Sequence, residues 1–227
     1  MTTKHALDGL PPLYHSYALF GEQNQQLGAH YPANQQSKQP IILAYIQYAI
    51  AKCRDRIADE VSFAELFCAD GFYTMAALHL GATRGIGIDN DRDGHSRRML
   101  DIAARLGLTV EFNKMDVHDI AALPPVDIVG NLGGLYHVPD PEAVLDASYA
   151  FARRFLIVQT VVTLASTDPD YFVTPAPGWT WGSRYSRQSF ERLLARKGWR
   201  IVDQHFNHLE GNGRLQDKGS CYALIAK

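Results

Sequence analysis

The sequence predicts an α/β fold, a doubly wound sheet of seven strands with helices on both faces and an antiparallel pair at its end. Short apolar runs alternate with segments of helical periodicity between residues 61 and 198. The runs are rich in β-branched residues, as parallel strands buried on both faces are. The last two runs are joined by a glycine-rich segment too short for a crossover helix, so they should pair antiparallel.

Residues 1–58 predict an N-terminal arm and a helix that pack against the main domain. Residues 1–39 are polar, glutamine-rich and interrupted by prolines, with too few aromatic residues for a core of their own. After Pro40, apolar side chains recur at helical spacing over residues 42–57, which predicts a helix. We expect the arm to close over a bound cofactor. Its most promising contacts are Tyr14, Tyr17 and Lys38.

The main domain, residues 59–227, begins with two strand–helix units. The run VSFAELF predicts a buried strand, and the helix Phe72 to Leu80 that follows it ends at a glycine, the residue best suited to a left-handed cap. TRGIGID predicts the second strand, and the next helix, Arg92 to Leu106, also stops at a glycine. This alternation predicts parallel strands with crossover helices.

The remaining elements complete the sheet. TVEFN and VDIVGNL predict the third and fourth strands, and a helix follows from about Pro141 to Arg153. RFLIVQTVV predicts a central fifth strand. After the helix SRQSFERLLARKG, the runs WRIVDQHF and SCYALIAK predict the antiparallel pair, with NHLEGNGRLQDKG between them.

Composition disfavours several classes of function. The formal net charge is −2, so the chain lacks the large basic field typical of nucleic-acid or anionic-membrane binding, and RNA is a less favoured partner. The three cysteines are widely spaced, and the histidines show no metal-ligand spacing, so we expect no disulfide framework and no metal. No apolar stretch is long enough for a signal peptide or a bilayer span, and we expect a cytoplasmic protein.

The segment ELFCADGFY stands at the carboxyl end of the first strand, where open α/β sheets bind ligands. Asp89 closes the second strand and is well placed to accept hydrogen bonds from ribose hydroxyls. Alternatively, Glu65 is only a charge near the helix start and Asp89 caps the next helix. Phe67 and Ala69 replace glycines that a pyrophosphate loop needs, and only Gly71 remains. The loop therefore favours S-adenosylmethionine (SAM), which has no phosphate, over NAD.

The same region carries a family resemblance. ELFCADGFYTMAALHLGATRGIGIDND resembles the first two motifs of class I SAM-dependent methyltransferases, whose usual loop reads acid-x-Gly-x-Gly-x-Gly. NKMDVHDI resembles their third motif, which implies that Asp116 hydrogen-bonds the adenine amino group and that Val117 backs the ring. IVGNLGGLYHVPDPEAVL resembles the fourth strand and its loop, which implies that Asn131 and Leu132 lie near the methionine part. The resemblance covers about residues 60–227 and implies a Rossmann-like fold, with SAM as cofactor.

The cofactor contacts expected from these motifs and from the arm are Glu65, Phe67, Ala69, Gly71, Asp89, Asn90, Asp116, Val117, Asn131, Leu132 and Tyr17. Within the family, GLYHVPDP and FYTMAALHLGA look most like a bacterial branch of tRNA wobble-uridine modifying (CmoB-like) enzymes and sugar methyltransferases. Members of this branch differ widely in acceptor, so the likeness does not choose a substrate.

Catalytic candidates follow from the chemistry of methyl transfer. The cofactor brings the reactive centre, and the protein aligns and desolvates the reactants. A general base is needed only for a hydroxyl or a protonated amine. His137, just past the fourth strand, is the candidate base, and Tyr136 is a candidate for orienting the acceptor. The alternatives are a structural histidine and an aromatic side chain that closes the pocket.

The long segment ASTDPDYFVTPAPGWTWGSRYS, after the fifth strand, predicts the acceptor site, because loops of this length are usually functional. Trp179, Trp181 and Tyr185 can stack on a planar acceptor or a sugar. Arg184 is a candidate for an acceptor carboxylate or phosphate. Alternatively, the tryptophans only pin the loop to the core.

The leading hypothesis is a SAM-dependent methyltransferase that modifies a small-molecule or sugar acceptor at oxygen or nitrogen. A second hypothesis is a tRNA-modifying transferase, which needs a wide basic surface. A third is a binding protein that keeps the fold but has lost catalysis, a possibility suggested by the missing loop glycines.

Overall fold

A computed structural model of the chain describes residues 5–28, 30–55 and 60–227. The helices are α1 (Tyr31–Arg54), α2 (Phe72–His79), α3 (Met99–Arg105), α4 (Pro141–Phe151) and α5 (Arg187–Lys197). The strands are β1 (Ser62–Leu66), β2 (Arg84–Asp89), β3 (Glu111–Lys114), β4 (Val126–Leu132), β5 (Ala152–Thr163), β6 (Phe172–Val173), β7 (Arg184–Ser186), β8 (Arg200–His208) and β9 (Gly219–Ala226).

The described strands form one sheet, which confirms the α/β prediction. Its parallel part has the order β3-β2-β1-β4-β5, and β9 pairs antiparallel with both β5 and β8. These are the seven strands that the sequence predicts. The sheet also includes β6 and β7, a short antiparallel pair from the long loop, and β7 runs parallel to the end of β5. Strands of two and three residues are too short to show a period in the sequence.

The core lies on both sides of the sheet because successive side chains of a strand point to opposite faces. Along β1, Phe63 belongs to the core on the side of α1 and α2, whereas Ala64 belongs to the core beneath α4 and α5. Burying a large apolar side chain such as Phe63 contributes about 1.5–3 kcal/mol. Parallel strands buried on both faces explain why the predicted runs are apolar throughout.

Helix α1 begins at Tyr31, so the prediction that the arm extends to residue 39 is wrong. Pro32 stands in the first turn, where no backbone donor is needed, and Pro40 lies inside the helix. An interior proline removes one helical hydrogen bond, but burial of Ile42 and Ile46 below it stabilises the helix. The predicted helix end at Ile57 lies outside the described residues.

Helix α3 begins at Met99 rather than at Arg92, which corrects a second boundary. Asp91 has φ 56°, and its carboxylate accepts hydrogen bonds from Ser96 Oγ and Arg97 Nε. Side-chain hydrogen bonds of this kind favour a turn over a continuous helix. The segment between β2 and α3 is therefore a loop beside the carboxyl edge of the sheet, followed by a 3₁₀ turn at Ser96–Arg98.

The described part of the arm packs on the loop between β1 and α2. Tyr17 is fully buried, and its hydroxyl donates to the carbonyl oxygen of Asp70. The His15 backbone N–H and ring Nδ1 both hydrogen-bond the Asp70 carboxylate. The arm is therefore held to the loop by polar contacts in addition to apolar packing. The proposed domain division at residue 58 stays a prediction.

Candidate functional site

A cavity of about 1010 Å³ opens at the carboxyl ends of the parallel strands. It lies where the strand order reverses, with β2 and β3 on one side of β1 and β4 and β5 on the other. Ligands of open α/β sheets bind at such a switch point. The predicted site residues that line this cavity are Tyr14, Lys38, Glu65, Phe67, Ala69, Asp89, Asn90, Asp116, Val117, Leu132, Tyr136, His137, Trp179, Trp181 and Arg184.

The loop after β1 has the backbone of a glycine-rich loop without two of its glycines. Phe67, Ala69 and Gly71 have φ angles of 58°, 49° and 77°, all in the left-handed region. Side chains other than glycine adopt this region at a cost of about 1–2 kcal/mol. The Phe67 ring packs on Gly134, where a Cβ would come 1.7 Å from Phe67 Cδ2. This ring therefore fills the place of a side chain at position 134.

Replacing Ala69 by glycine should raise the free energy of unfolding by about 0.5–1 kcal/mol, because glycine adopts the left-handed region without steric cost. The Ala69 N–H that donates to Asp89 is kept in the variant. Urea unfolding measures the change. Ala77→Gly, inside the buried part of α2, is the matched control and should lower the stability by about 1 kcal/mol. Loss of stability in Ala69→Gly would contradict the strain at this position.

Glu65 is almost fully buried under the start of α2. The Thr74 N–H and Oγ1–H donate to Glu65 Oε2 at 2.7 and 2.8 Å. Burial raises the pKa of Glu65 well above its ordinary value, and the two hydrogen bonds from Thr74 oppose this rise. The structure thus gives Glu65 the helix-start role that the sequence left as an alternative. Its contact with a cofactor stays a prediction.

Asp89 and Asp116 lie at adjacent strand ends and face the same cavity. Strand pairing matches Asp89 with Lys114, and the Met115 N–H donates to the Asp89 carbonyl oxygen. The Asp89 carboxylate accepts from the backbone N–H groups of Ala69 and Asp91 at 3.2 and 2.6 Å. Because α3 starts ten residues further on, Asp89 does not cap it. Burial raises the pKa of Asp89 above its ordinary value.

Asp116 forms a chain of hydrogen bonds with His118 and Asp140. The ring Nδ1 of His118 lies 2.6 Å from Asp116 Oδ1, and its Nε2 lies 3.0 Å from Asp140 Oδ1. The hydrogen bonds to the two carboxylates raise the pKa of His118, and the His118 backbone and ring lower the pKa of Asp116. These contacts fix the Asp116 carboxylate at the edge of the cavity.

The hydrogen bonds between Asp116, His118 and Asp140 predict a pH-dependent contribution to stability. The raised His118 pKa means that the contribution is complete below the ordinary histidine pKa of about 6.5 and is lost as pH rises through the raised value. The groups are half exposed, so we expect at most about 1 kcal/mol. His118→Gln should therefore cost more stability at pH 6 than at pH 9 in urea unfolding. An equal cost at both pH values, or the same pattern in the exposed control His205→Gln, would contradict this prediction.

The acceptor side of the cavity has an aromatic wall. The His137 ring stacks on Trp181, with ring centroids 5.1 Å apart and planes 11° apart, and the Arg92 guanidinium lies 5.1 Å from the Trp181 centroid. Burial, with the nearby Arg92 charge, lowers the pKa of His137 to about 4. The ring is therefore neutral at pH 7, and its Nδ1 has no described partner. His137 can accept a proton, but its low pKa makes it a weak general base.

Arg184 lies in β7 and is already paired. Its Nη2 donates to Asp217 Oδ1 at 2.8 Å, and its guanidinium carbon lies 5.3 Å from the Tyr136 ring centroid. The side chain is buried, and only its Nε has no described partner. The charge predicted for an acceptor carboxylate is thus compensated within the fold.

Comparison with solved structures identifies the fold. Magnesium protoporphyrin IX methyltransferase (ChlM) from Synechocystis PCC 6803, with bound S-adenosylhomocysteine (SAH), matches with a TM-score of 0.63 and 14% identity over 93% of this chain and 92% of that chain. The N-terminal domain of EvdMO1, in the presence of SAH and D-fucose, matches with a TM-score of 0.62 and 18% identity over 97% and 92%. N-methyltransferase NodS from Bradyrhizobium japonicum WM9 matches with a TM-score of 0.60 and 13% identity over 86% and 96%.

The chain has the fold of class I SAM-dependent methyltransferases. The resemblance stated from the motifs is confirmed at the level of the fold. Comparison of the sequence with protein-family models and with curated proteins finds no match. Among the helices of the described ranges, none is both long and apolar enough to cross a bilayer. No three His, Cys, Asp or Glu side chains of the described residues form a cluster that could hold a metal ion.

Four predicted contacts lie outside the cavity of this methyltransferase fold. Tyr17 is buried against Phe72, and the Cβ direction of Gly71 is filled by Met99. Asn131 donates to Ser148 Oγ of α4, because alternation along β4 turns it away from the face of Leu132. Tyr185 belongs to a separate small cleft beside Phe172. The contact of these four residues with a ligand stays a prediction.

Several lining residues were not predicted. The start of α1 contributes Tyr31 and Asn34, β5 contributes Gln159, and the β8–β9 connection contributes residues 211–214 and Asp217. The glycine-rich connection was interpreted only as a turn. The connection is longer than a tight hairpin turn, and this length was the available sign that it has a function. The other lining residues belong to regular helices and strands, whose periodicity does not mark function.

Proposed function

We propose that the chain is a SAM-dependent methyltransferase that acts on a small-molecule or sugar acceptor at oxygen or nitrogen. The observation that carries this proposal is the shared cavity, with Asp89 and Asp116 on one side of the switch point and an aromatic wall on the other. Its volume of about 1010 Å³ is at the upper end of ligand pockets. The neighbouring structures with bound SAH agree with it.

The residues fit a phosphate-free adenosyl ligand better than a dinucleotide. Carboxylates such as Asp89 and Asp116 accept hydrogen bonds from ribose hydroxyls and an adenine amino group but repel phosphate. The side chains of Phe67 and Ala69 occupy positions where a pyrophosphate needs glycine. Val117 and Leu132 supply apolar contacts for the rest of the ligand.

Bound SAM would supply a methyl group on a sulfonium, ready for in-line displacement. The chain's own residues then bind, orient and exclude water. We infer that Tyr136 and His137 orient the acceptor and that His137, which is neutral at pH 7, accepts a proton where the acceptor is a hydroxyl. Trp179 and Trp181 provide stacking surface for the acceptor.

The test is isothermal titration of the wild-type chain with SAM and SAH, with NAD as the control ligand. Saturable micromolar binding of SAM and SAH and no binding of NAD are expected. Absence of SAM and SAH binding at millimolar concentration would overturn the proposal and favour the inactive binding protein. The left-handed φ angles retained at Phe67 and Ala69 support a loop that still serves a ligand.

The tRNA-modifying alternative receives less support. Three cations on α5 are paired with acids: Arg187 with Glu191, Arg192 with Asp170, and Lys197 with Glu142 and Asp146. A face that is neutralised in this way offers little field for phosphates. Activity on bulk tRNA that falls steeply with salt would favour this alternative instead.

A further inference from the structure

Lys38 is a buried cation that no described residue neutralises. It lies on α1 with 6% of its surface exposed and lines the cavity. It forms no hydrogen bond or ion pair with any residue of the described ranges, although Lys52 on the same helix pairs with Asp55. Burying an unpaired charge is costly, and buried charges are ordinarily paired. The ammonium lines the cavity and is therefore available to an anionic group of a ligand.

Other polar atoms converge on the same place, beside Gly133. A Cβ built on this residue, whose φ is 79°, would lie 3.3 Å from Gln159 Oε1, 3.9 Å from Lys38 Nζ and 4.0 Å from the Tyr136 hydroxyl. The Gln159 Oε1 atom is buried and has no hydrogen-bond partner among the described residues. These three side chains and Gly133 enclose a small polar space, which we name the Lys38 cradle.

The cradle lies on the acceptor side of the cavity. Gly133 follows β4 and Gln159 belongs to β5, whereas Asp89 and Asp116 stand at the ends of β2 and β3. The strand order places β1 between these two groups. A ligand group in the cradle is therefore separate from the adenosine half of the cofactor.

The carboxylate nearest the cradle, that of Asp217, is shared by two arginines, and no described carboxylate pairs with Lys38. Arg184 and Arg214 both pair with Asp217. Burial lowers the pKa of Lys38 to about 8, so the ammonium is still the main form at pH 7. One ammonium and one tyrosine hydroxyl suit a monoanion with two oxygens. A phosphate would place a third oxygen against the Gln159 carbonyl oxygen, which cannot donate a hydrogen bond to it.

We propose that the Lys38 cradle binds a single carboxylate of the methyl acceptor, so that the substrate is a planar aromatic carboxylic acid. Trp179 and Trp181 line the same cavity and supply the surface for its ring, and Lys38 Nζ and the Tyr136 hydroxyl donate to its carboxylate. This inference rests on the proposed methyltransferase function.

The first experiment compares two probes on wild-type protein saturated with SAH. 4-Hydroxybenzoate and 4-hydroxybenzamide have the same ring and hydroxyl and differ in the charge of one group. Quenching of the tryptophan fluorescence, with Trp179 and Trp181 in the cavity wall, reports binding. The benzoate should bind at least about 10-fold more tightly, as expected for a buried charge-assisted hydrogen bond. Equal affinities would overturn the proposal.

The second experiment uses Lys38→Met, with Lys52→Met on the exposed face of the same helix as the matched control. Lys38→Met should reduce benzoate affinity to that of the benzamide and leave SAH affinity unchanged, and Lys38→Arg should keep most of the preference. A loss of SAH affinity with unchanged affinity for 5′-methylthioadenosine, which lacks the amino acid part, would show that Lys38 binds the cofactor's own carboxylate and would overturn the proposal.

Failure of the two proposals is distinguishable. Absence of SAH binding to the wild-type chain overturns the proposed function. SAH binding without a preference for the benzoate overturns only the assignment of the cradle. The wild-type probe comparison decides this even if Lys38→Met does not fold.

Discussion

Replacement of His15 by alanine is expected to lower the free energy of unfolding by about 3 kcal/mol, because it leaves a buried carboxylate without its hydrogen-bond partner on the His15 ring. Both side chains of the His15–Asp70 pair are almost fully buried. Burial alone would raise the pKa of Asp70, but the His15 ring and the backbone N–H groups of Tyr14 and His15 bring it below its ordinary value. Urea unfolding at pH 7 measures the loss.

The double variant His15→Ala/Asp70→Asn provides the sharper test. It removes the orphaned charge, so it should be more stable than His15→Ala, with a coupling of at least about 1 kcal/mol between the two sites. His205→Ala, at an exposed position of β8, should change the stability by less than about 0.5 kcal/mol. Additive effects at 15 and 70 would show that the pair contributes packing only.

The same pair predicts acid sensitivity. A lowered Asp70 pKa means that its contribution is present above the ordinary aspartate pKa of about 3.9 and is lost as pH falls through the folded value. Because Asp70 lies between Ala69 and Gly71, loosening of the arm should also disturb the ligand loop. The arm is thus part of the site as well as of the packing.

Asp89→Asn is expected to weaken SAH binding about 100-fold, since the carboxylate is proposed to accept two ribose hydroxyls and charged hydrogen bonds contribute about 1.5–3 kcal/mol each. The amide of asparagine keeps the shape of the side chain, and its one oxygen can still accept a hydrogen bond from a backbone N–H of the loop. Isothermal titration gives the affinity. Asp101→Asn, on the exposed surface of α3, is the matched control and should bind SAH as wild type does.

Two outcomes would count against the role of Asp89. Unchanged SAH affinity in Asp89→Asn would remove the carboxylate from the ribose contact. A large loss of stability in the unliganded variant would show that the main role of the carboxylate is structural. The carboxylate already accepts hydrogen bonds from the backbone N–H groups of Ala69 and Asp91. Measuring the unfolding of the unliganded variant alongside its SAH affinity separates the two roles.

The regular elements were predictable because their signals are local. The apolar runs of β1 and β4 and the helical period of α2 and α5 are complete within a few residues, and both core faces follow from alternation. The boundaries that failed depend on side-chain hydrogen bonds or on proline context. Asp91 holds a turn where helical residues continue, and Pro32 marks the true start of α1 although Pro40 lies within it.

The site was partly predictable because the carboxyl ends of parallel strands meet at one edge, which brought Asp89, Asp116 and His137 into one cavity. The direction of each side chain was harder to predict. Asn131 and Leu132 are neighbours in sequence, yet pleating sends only Leu132 to the cavity. The pairing of Arg184 with Asp217 joins residues that are distant in sequence, so no local pattern predicts it.

The sequence by itself determined the alternation of strands and helices, the final antiparallel pair and the acids at two strand ends, since each depends on residues close together in the chain. Only the tertiary structure decided which side chains share a cavity and which charges are paired. It also showed that Lys38 has no ion-pair partner among the described residues. Burial and pairing depend on contacts between distant segments, so an unpaired buried lysine on a helix becomes visible only once the arm, the sheet and the long loop are assembled around it.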